Sequence, residues 1–462
     1  MKANKYITLL IFALLCLTTA CDFLELESPA YLDADNFFKD AASAEDALIG
    51  VYSSLQSPSY YGGNYLLIGE PISGNAATGG FDNSNIDELG AQEVTPSNII
   101  VEEMWYSIYN TIANTNRLIE GLEKIDDPTF DADRKDEIEG QARAIRAMAH
   151  FDLLRFFGEH WDNASAFGIP VVGTVQTIGD IAPRSTVAQT YTFILSELNA
   201  ALALVNQVDR DPAFVNSGTV HALLARVYLY NSDYPNAIFH ANETASEGLY
   251  ILLDDVVYPS IFNDRQTSES IFELAFDSQN RSRYNGLTYA RPDALNTEVN
   301  FLAAEALSDF FISRPGDVRA DLADFDPGNN DTSIQPNGRS QKYRGESDED
   351  SPAYIFRFAE IFLIRAEALG YSAEGLADLN TIRTMRGLGS IDPGAGGFLN
   401  AILDERRAEL NFEGHYYFDL ARAEEIKPGG LLDIEAFRAI LPIPLREITA
   451  TKGAVEQNPG YE

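Results

Sequence analysis

The stretch from Arg134 to Phe157 constrains the fold most. Ile138, Ala142, Ile145, Met148, Ala149 and Leu153 recur there at helical spacing and form one apolar stripe. Gly158 supplies the stop. The same period returns elsewhere. Ala41 to Leu55 reads as a helix, Trp105, Ile108, Ile112 and Ile119 mark another, and Thr186 to Val205 puts Tyr191, Ile194, Leu195, Leu198 and Leu202 on one face. Val220 to Tyr230 and Tyr234 to Glu247 form a helical hairpin, with Ala225, Tyr228, Ala237 and Ala241 at tetratricopeptide spacing. Arg357 to Leu369 and Glu374 to Met385 make a further pair across a very short loop. A regular period of roughly 34 residues is absent. The expected fold is therefore mostly α. It has about four tetratricopeptide-like helical pairs, irregularly spaced and wrapped by a loop-rich region with a few short strands.

Two stretches lack any apolar period. Residues 57–100 are rich in Gly, Asn, Ser and Tyr. After a strand-like run from Ile271 to Phe276, Gly, Asn, Asp and Pro dominate to residue 352. Loops this long in a compact domain are usually functional. Ligand sites combine apolar, often aromatic, walls with a few placed polar groups. Two groups have that mixture. The first is Tyr60, Tyr61, Tyr65, Asn75, Phe81, Asp82 and Asn83; the second is Asn280, Arg283, Tyr284, Asn285, Tyr289, Arg291 and Phe301. The bland alternative is that these rings pack their loops onto the scaffold or touch a protein partner.

The N-terminus points to export. Lys2 and Lys5 precede an apolar run from Ile7 to Leu17, broken only by Thr8. That run is about ten residues, whereas a membrane span needs roughly 20. It is therefore read as a secretory signal, residues 1–20. Leu17-Thr18-Thr19-Ala20-Cys21 resembles a bacterial lipobox, which makes Cys21 the expected lipidation site. The other cysteine, Cys16, lies in the signal, so the exported chain has no disulfide. Several acyl chains would anchor it stably. The acidic run Asp22-Phe23-Leu24-Glu25-Leu26-Glu27 resembles a surface-export signal. Residues 21–462 are expected to form one domain. Its helical part covers about 21–270, its ligand loops about 271–352 plus 57–104, and its C-terminal part about 353–462.

Charge excludes some partners. The formal net charge is −37, and removing Lys2 and Lys5 makes the exported chain more acidic still. Such a field repels nucleic acid and anionic lipid. It also disfavours strongly anionic polymers. Catalytic signatures are absent. No pair among the five histidines has HExxH spacing, and GxSxG, GxGxxG and P-loop fingerprints are missing. With 70 acidic residues some carboxylate pair is inevitable, so a glycosidase pair stays open on sequence alone. The charge cluster of Glu405, Arg406, Arg407, Glu409, Glu413 and Asp419 reads as a partly buried ion-pair network. Arg143 and Arg146, one helical turn apart, are read as ties between helices, and Trp105 as core. Asp324, Asp326, Asn329, Asn330 and Asp331 offer the oxygens calcium takes, but turn chemistry explains them equally well. No cofactor is expected.

Several motifs then occur in one order. They are Cys21-Asp22-x-Leu24, Trp105-x3-Tyr109-x2-Ile112-x3-Asn116, and Arg143-Ala144-x-Arg146-Ala147 running on to Phe157-Gly158 and Gly168-Ile169-Pro170. Arg357-x-Ala359-Glu360 through Ala368, Glu405-Arg406-Arg407 through Gly414, Asp419-Leu420-x-Arg422, Pro442-Ile443-Pro444 and Gln457-Asn458-Pro459-Gly460-Tyr461 follow. Together they resemble a SusD/RagB-type lipoprotein over nearly the whole chain. The loop after Leu369 departs from that pattern by being short. The resemblance implies a tetratricopeptide-containing scaffold with a ligand site in its loops. It implies a non-catalytic glycan-binding lipoprotein on the extracellular side of the outer membrane, partnered by a SusC-like TonB-dependent transporter. Peptide or protein binding by the same scaffold is the alternative.

Overall fold

The computed structural model describes residues 37–79, 83–177, 179–206, 211–246, 248–289, 300–323, 338–343 and 351–461, with only the backbone of Asn285, Tyr289 and Ala323. The principal helices are α1 Ala41–Leu55, α2 Ile99–Lys124, α3 Ala132–Phe157, α4 Val187–Leu202, α5 Ser217–Tyr230 and α6 Tyr234–Ser246. After a loop-rich stretch come α7 Glu305–Ile312, α8 Phe358–Leu369, α9 Ala373–Met385, α10 Phe398–Leu410 and α11 Tyr416–Arg422. Short polar side chains set many of the starts. Asp40, Asn98, Asp131, Thr186, Asn216 and Ser372 each accept a hydrogen bond from a first-turn N–H. Each such cap contributes about 1 kcal/mol.

The helices stack in sequence. Helix α1 packs on α2, α2 on α3, α3 on α4, α4 on α5 and α5 on α6. The stack then skips the loop-rich stretch and continues with α6 on α8 and α8 on α9 and α10. The two pairings expected from sequence, α5 with α6 and α8 with α9, are both made. Trp105 is buried in the core, edge-on to Phe157 at 4.8 Å. Truncating such a ring costs about 3–5 kcal/mol.

Strands are few. Strand β1 (Ala76–Thr78) pairs antiparallel with β3 (Phe301–Ala303), and β2 (Ser270–Leu274) pairs antiparallel with β4 (Ala353–Arg357). The sequence reading of residues 57–100 as loop needs correcting. This segment holds the short helices Asn64–Leu67, Gly69–Ile72 and Ser84–Gly90 and the start of α2. Tyr60, Tyr61, Tyr65, Leu66, Leu67, Ile68 and Ile72 within it are all core residues.

Candidate functional site

Helix α3 is buried on every side from Ala144 to Phe157, so a charged side chain there must find partners inside the protein. Asp152 and Arg155 find them in the first loop region. Tyr60 and Tyr61 donate to Asp152 Oδ2 at 2.5 and 2.8 Å, and Tyr65 donates to Oδ1 at 2.5 Å. Arg155 donates to Asp152 Oδ1 at 2.9 Å and to the Tyr65 hydroxyl, with its Cζ 4.5 Å from the Phe418 ring centroid. Burial and the Asp152 charge push the Tyr60 and Tyr61 phenols well above their usual range, so they remain donors.

These three tyrosines are at most 1% exposed. Their rings offer no face to a ligand, and the sequence-based assignment of them to a binding surface is corrected on that ground. Asn75 is also internal: its Nδ2 donates to Glu70 Oε2 at 3.0 Å and its Oδ1 accepts from Arg407 Nε at 2.8 Å. Tyr284 is buried, stacked on Tyr343 at 4.6 Å and bonded through its hydroxyl to the Tyr61 carbonyl. Phe301 is buried in β3. Asn83 caps the helix Ser84–Gly90. Phe81, Asp82, Arg291, Cys21 and the run Asp324, Asp326, Asn329, Asn330 and Asp331 lie outside the described residues, and so do the side chains of Asn285 and Tyr289.

The structure does bring the two loop regions together. The Arg283 N–H donates to the Gly62 carbonyl at 2.8 Å, and the Asn280 side chain donates to Gln56 Oε1. Gly62 permits the tight turn below this join: a Cβ there would lie 2.3 Å from the Gln56 carbonyl oxygen. In the β1–β3 ladder Thr78 faces Phe301, and the Gly79 N–H donates to the Asn300 carbonyl at 3.0 Å. These contacts bring the described parts of the two regions onto one face. Gln56, Thr78, Asn83, Asn280, Arg283 and Asn300 edge it, all half-buried or exposed. Amides, hydroxyl and guanidinium on a rigid base can bond the hydroxyls of a sugar.

The acidic and basic residues of the C-terminal motifs are committed to each other. Arg357 Nη1 donates to Glu269 and Glu409 at 2.9 and 2.8 Å, Arg386 Nε to Glu409 at 2.9 Å, and Arg319 Nη2 to Glu405 at 2.6 Å. Burial opposes the Glu409 charge, but Arg386, Arg357 and Arg319 hold its carboxyl well below the usual range. These pairs are buried, while Arg407 is half-buried and donates to Asn75 instead, so the cluster is the partly buried network expected from sequence. Arg143 and Arg146 both reach Glu197 and tie α3 to α4. Burial pushes Glu70 and Glu273 up to about 7, yet both lie in the interior. Among the described residues no group of three or more His, Cys, Asp or Glu is placed to hold a metal ion.

Comparison with known proteins agrees with this architecture. Residues 22–229 match a family model described as starch-binding and associating with the outer membrane, and residues 319–428 match the model of the SusD family. The chain belongs to the SusD family. SusD-like protein P2 of Formosa agariphila is 25% identical over 521 residues, spanning 99% of this chain and 100% of that protein. A SusD superfamily protein of Bacteroides thetaiotaomicron is 26% identical in structural superposition, with a TM-score of 0.78 over 90% of this chain and 99% of its own. A laminarin-binding SusD-like protein shares the fold at 23% identity and a TM-score of 0.74, over 92% of this chain and 100% of its own.

A second SusD-chain opening was not legible in sequence. Trp161, Tyr234 and Tyr371 come from three separate segments and line one cleft. Each is a single aromatic residue at or near a turn, so no periodicity announces it.

Proposed function

We propose that this chain is a glycan-binding lipoprotein of the cell surface. It captures an oligo- or polysaccharide on the face where residues 56–79 meet residues 280–289 and 300–303, and delivers it to a SusC-like TonB-dependent transporter without chemistry on it. The convergence of the two polar loop regions onto one rigid base carries this reading. The family model's description, starch-binding and associating with the outer membrane, supports it. The net charge of −37 favours a neutral glycan over an anionic one. The two carboxyls held near neutrality, Glu70 and Glu273, are each 1% exposed and serve internal hydrogen bonds, which suits binding better than hydrolysis.

In this reading residues 1–20 are removed on export and Cys21 carries the lipid, leaving 21–462 as a single unit on the extracellular side of the outer membrane. Affinity electrophoresis of the chain lacking residues 1–20, in gels cast with neutral polysaccharides, tests the binding. Retardation by at least one polymer is expected. Migration unchanged by every polymer, with binding of a peptide pool instead, would transfer the reading to peptide uptake.

A further inference from the structure

We propose that the cleft between the α5–α6 turn, the α8–α9 turn and α10 is a second carbohydrate subsite, taking a short neutral stretch of the same glycan. This rests on the glycan reading above. The cleft holds about 390 Å3, within the range of roughly 300–1,000 Å3 usual for small-molecule sites. Its walls are aromatic. Among the described residues Tyr234 and Tyr371 are the two tyrosines left well exposed, at 43% and 46%, and both line it. Trp161, half-buried, adds a third ring.

The rings are held in place before any ligand arrives. Tyr371 follows Gly370, whose φ of +61° makes the turn after α8 so short. The Tyr371 hydroxyl donates to Asp392 Oδ1 at 3.0 Å, and its ring sits edge-on to Phe398 at 5.9 Å. Tyr234 opens α6 directly after the tight turn at Ser232. Exposed rings fixed in this way cover the C–H face of a sugar at little cost in side-chain entropy.

Polar groups border the cleft, Ser232 and Glu367 among them. Tyr230 lines the cleft, and its buried hydroxyl has no hydrogen-bond partner among the described residues. Asn163 and Asn231, bonded to each other at 2.7 Å, sit in sequence beside Trp161 and Ser232 of the rim. The lining offers no free cation for an acidic sugar. Its one arginine, Arg422, is paired with Glu367 and with Asp419. The subsite is distinct from the loop face. Arg155 lies between them, its Cζ 5.6 Å from the Tyr65 ring and 5.8 Å from the Tyr230 ring.

The chain's two tryptophans provide the test, because Trp105 is 1% exposed and Trp161 borders the cleft. The chain lacking residues 1–20 is labelled with 5-fluorotryptophan and titrated with laminari-, malto-, cello-, xylo- and mannohexaose. Fluorine NMR and calorimetry are read together. A hexaose that binds is expected to shift Trp161 saturably and leave Trp105 unmoved. Tyr371→Ala should weaken that shift about tenfold, and Ile49→Ala, an exposed change on α1, should leave it in place. A hexaose that binds by calorimetry with Trp161 unmoved overturns the cleft and spares the glycan reading. Calorimetric silence with every hexaose, together with no retardation by any polysaccharide, overturns both.

Discussion

Tyr61 donates its hydroxyl to Asp152 at 2.8 Å across 91 residues of sequence, fastening the first loop region to helix α3. Tyr60 and Tyr65 share the same carboxylate, and Arg155 balances its charge. The loop face is therefore only as rigid as this one buried group.

Asp152→Ala should destabilise the chain by about 3–5 kcal/mol, because it leaves the Arg155 charge buried without its partner. Tyr61→Phe removes one hydrogen bond to a charged acceptor and should cost about 1.5–3 kcal/mol. Urea unfolding checks both. Equal, negligible effects would show that the three phenols are not what holds the loop.

Glu409→Ala should be comparably severe. The residue answers Arg319, Arg357 and Arg386 in the interior, so its loss strands cationic charge and should cost about 3–5 kcal/mol. Loss of folded protein, or a shift in the denaturation midpoint of that size, is the expected observation.

Acid should weaken the fold below pH 6.5. Burial lowers all five histidines, His150 and His240 to about 4, with His160, His221 and His415 also depressed. His150 shows why: Nδ1 bonds the Arg146 carbonyl at 2.8 Å and Nε2 accepts from the Val172 N–H at 3.1 Å, which fixes it neutral. A histidine with a depressed folded pKa takes up its proton on unfolding, so stability falls as pH drops from about 6.5 towards 4. Glu70 and Glu273 act oppositely: raised to about 7, they favour the fold as pH falls from 7 to 4.5. Burial also raises the Asp404 and Glu447 carboxyls, which act with the same sign as Glu70 and Glu273, so five sites stand against four and leave a small net loss, at about 1.4 kcal/mol per pH unit for each unbalanced proton. Denaturation midpoints at pH 7 and pH 5 check the sign. Histidine NMR should find His150 still neutral at pH 5.

Arg283→Ala should lower glycan affinity about tenfold or more and leave the melting temperature unchanged, since the side chain is exposed. Tyr65→Phe should do the reverse. Calorimetry and thermal melts on the same two variants separate a binding residue from a supporting one.

The helices were legible because their apolar period survives in every partner, and even their starts were marked, as by Thr186 before α4. The first loop region was not. Tyr60, Tyr61 and Tyr65 show no period because hydroxyl–carboxylate bonds, not a continuous apolar stripe, bury them. The available signal was on the other partner: Asp152 and Arg155 are the only polar residues between Phe151 and Phe157, where α3 is buried on every side, and they demand polar company. Of the candidate site, the polar and aromatic make-up of the two loop regions was legible in sequence, and their meeting was not. Which residues faced outward did not, because an aromatic residue reads the same in a wall and in a core.

Hydrogen–deuterium exchange with and without a retained polysaccharide tests the central claim most directly. The account predicts slowed exchange in peptides covering residues 56–63, 76–79, 280–289 and 300–303. Saturating glycan that leaves all four unchanged would contradict it.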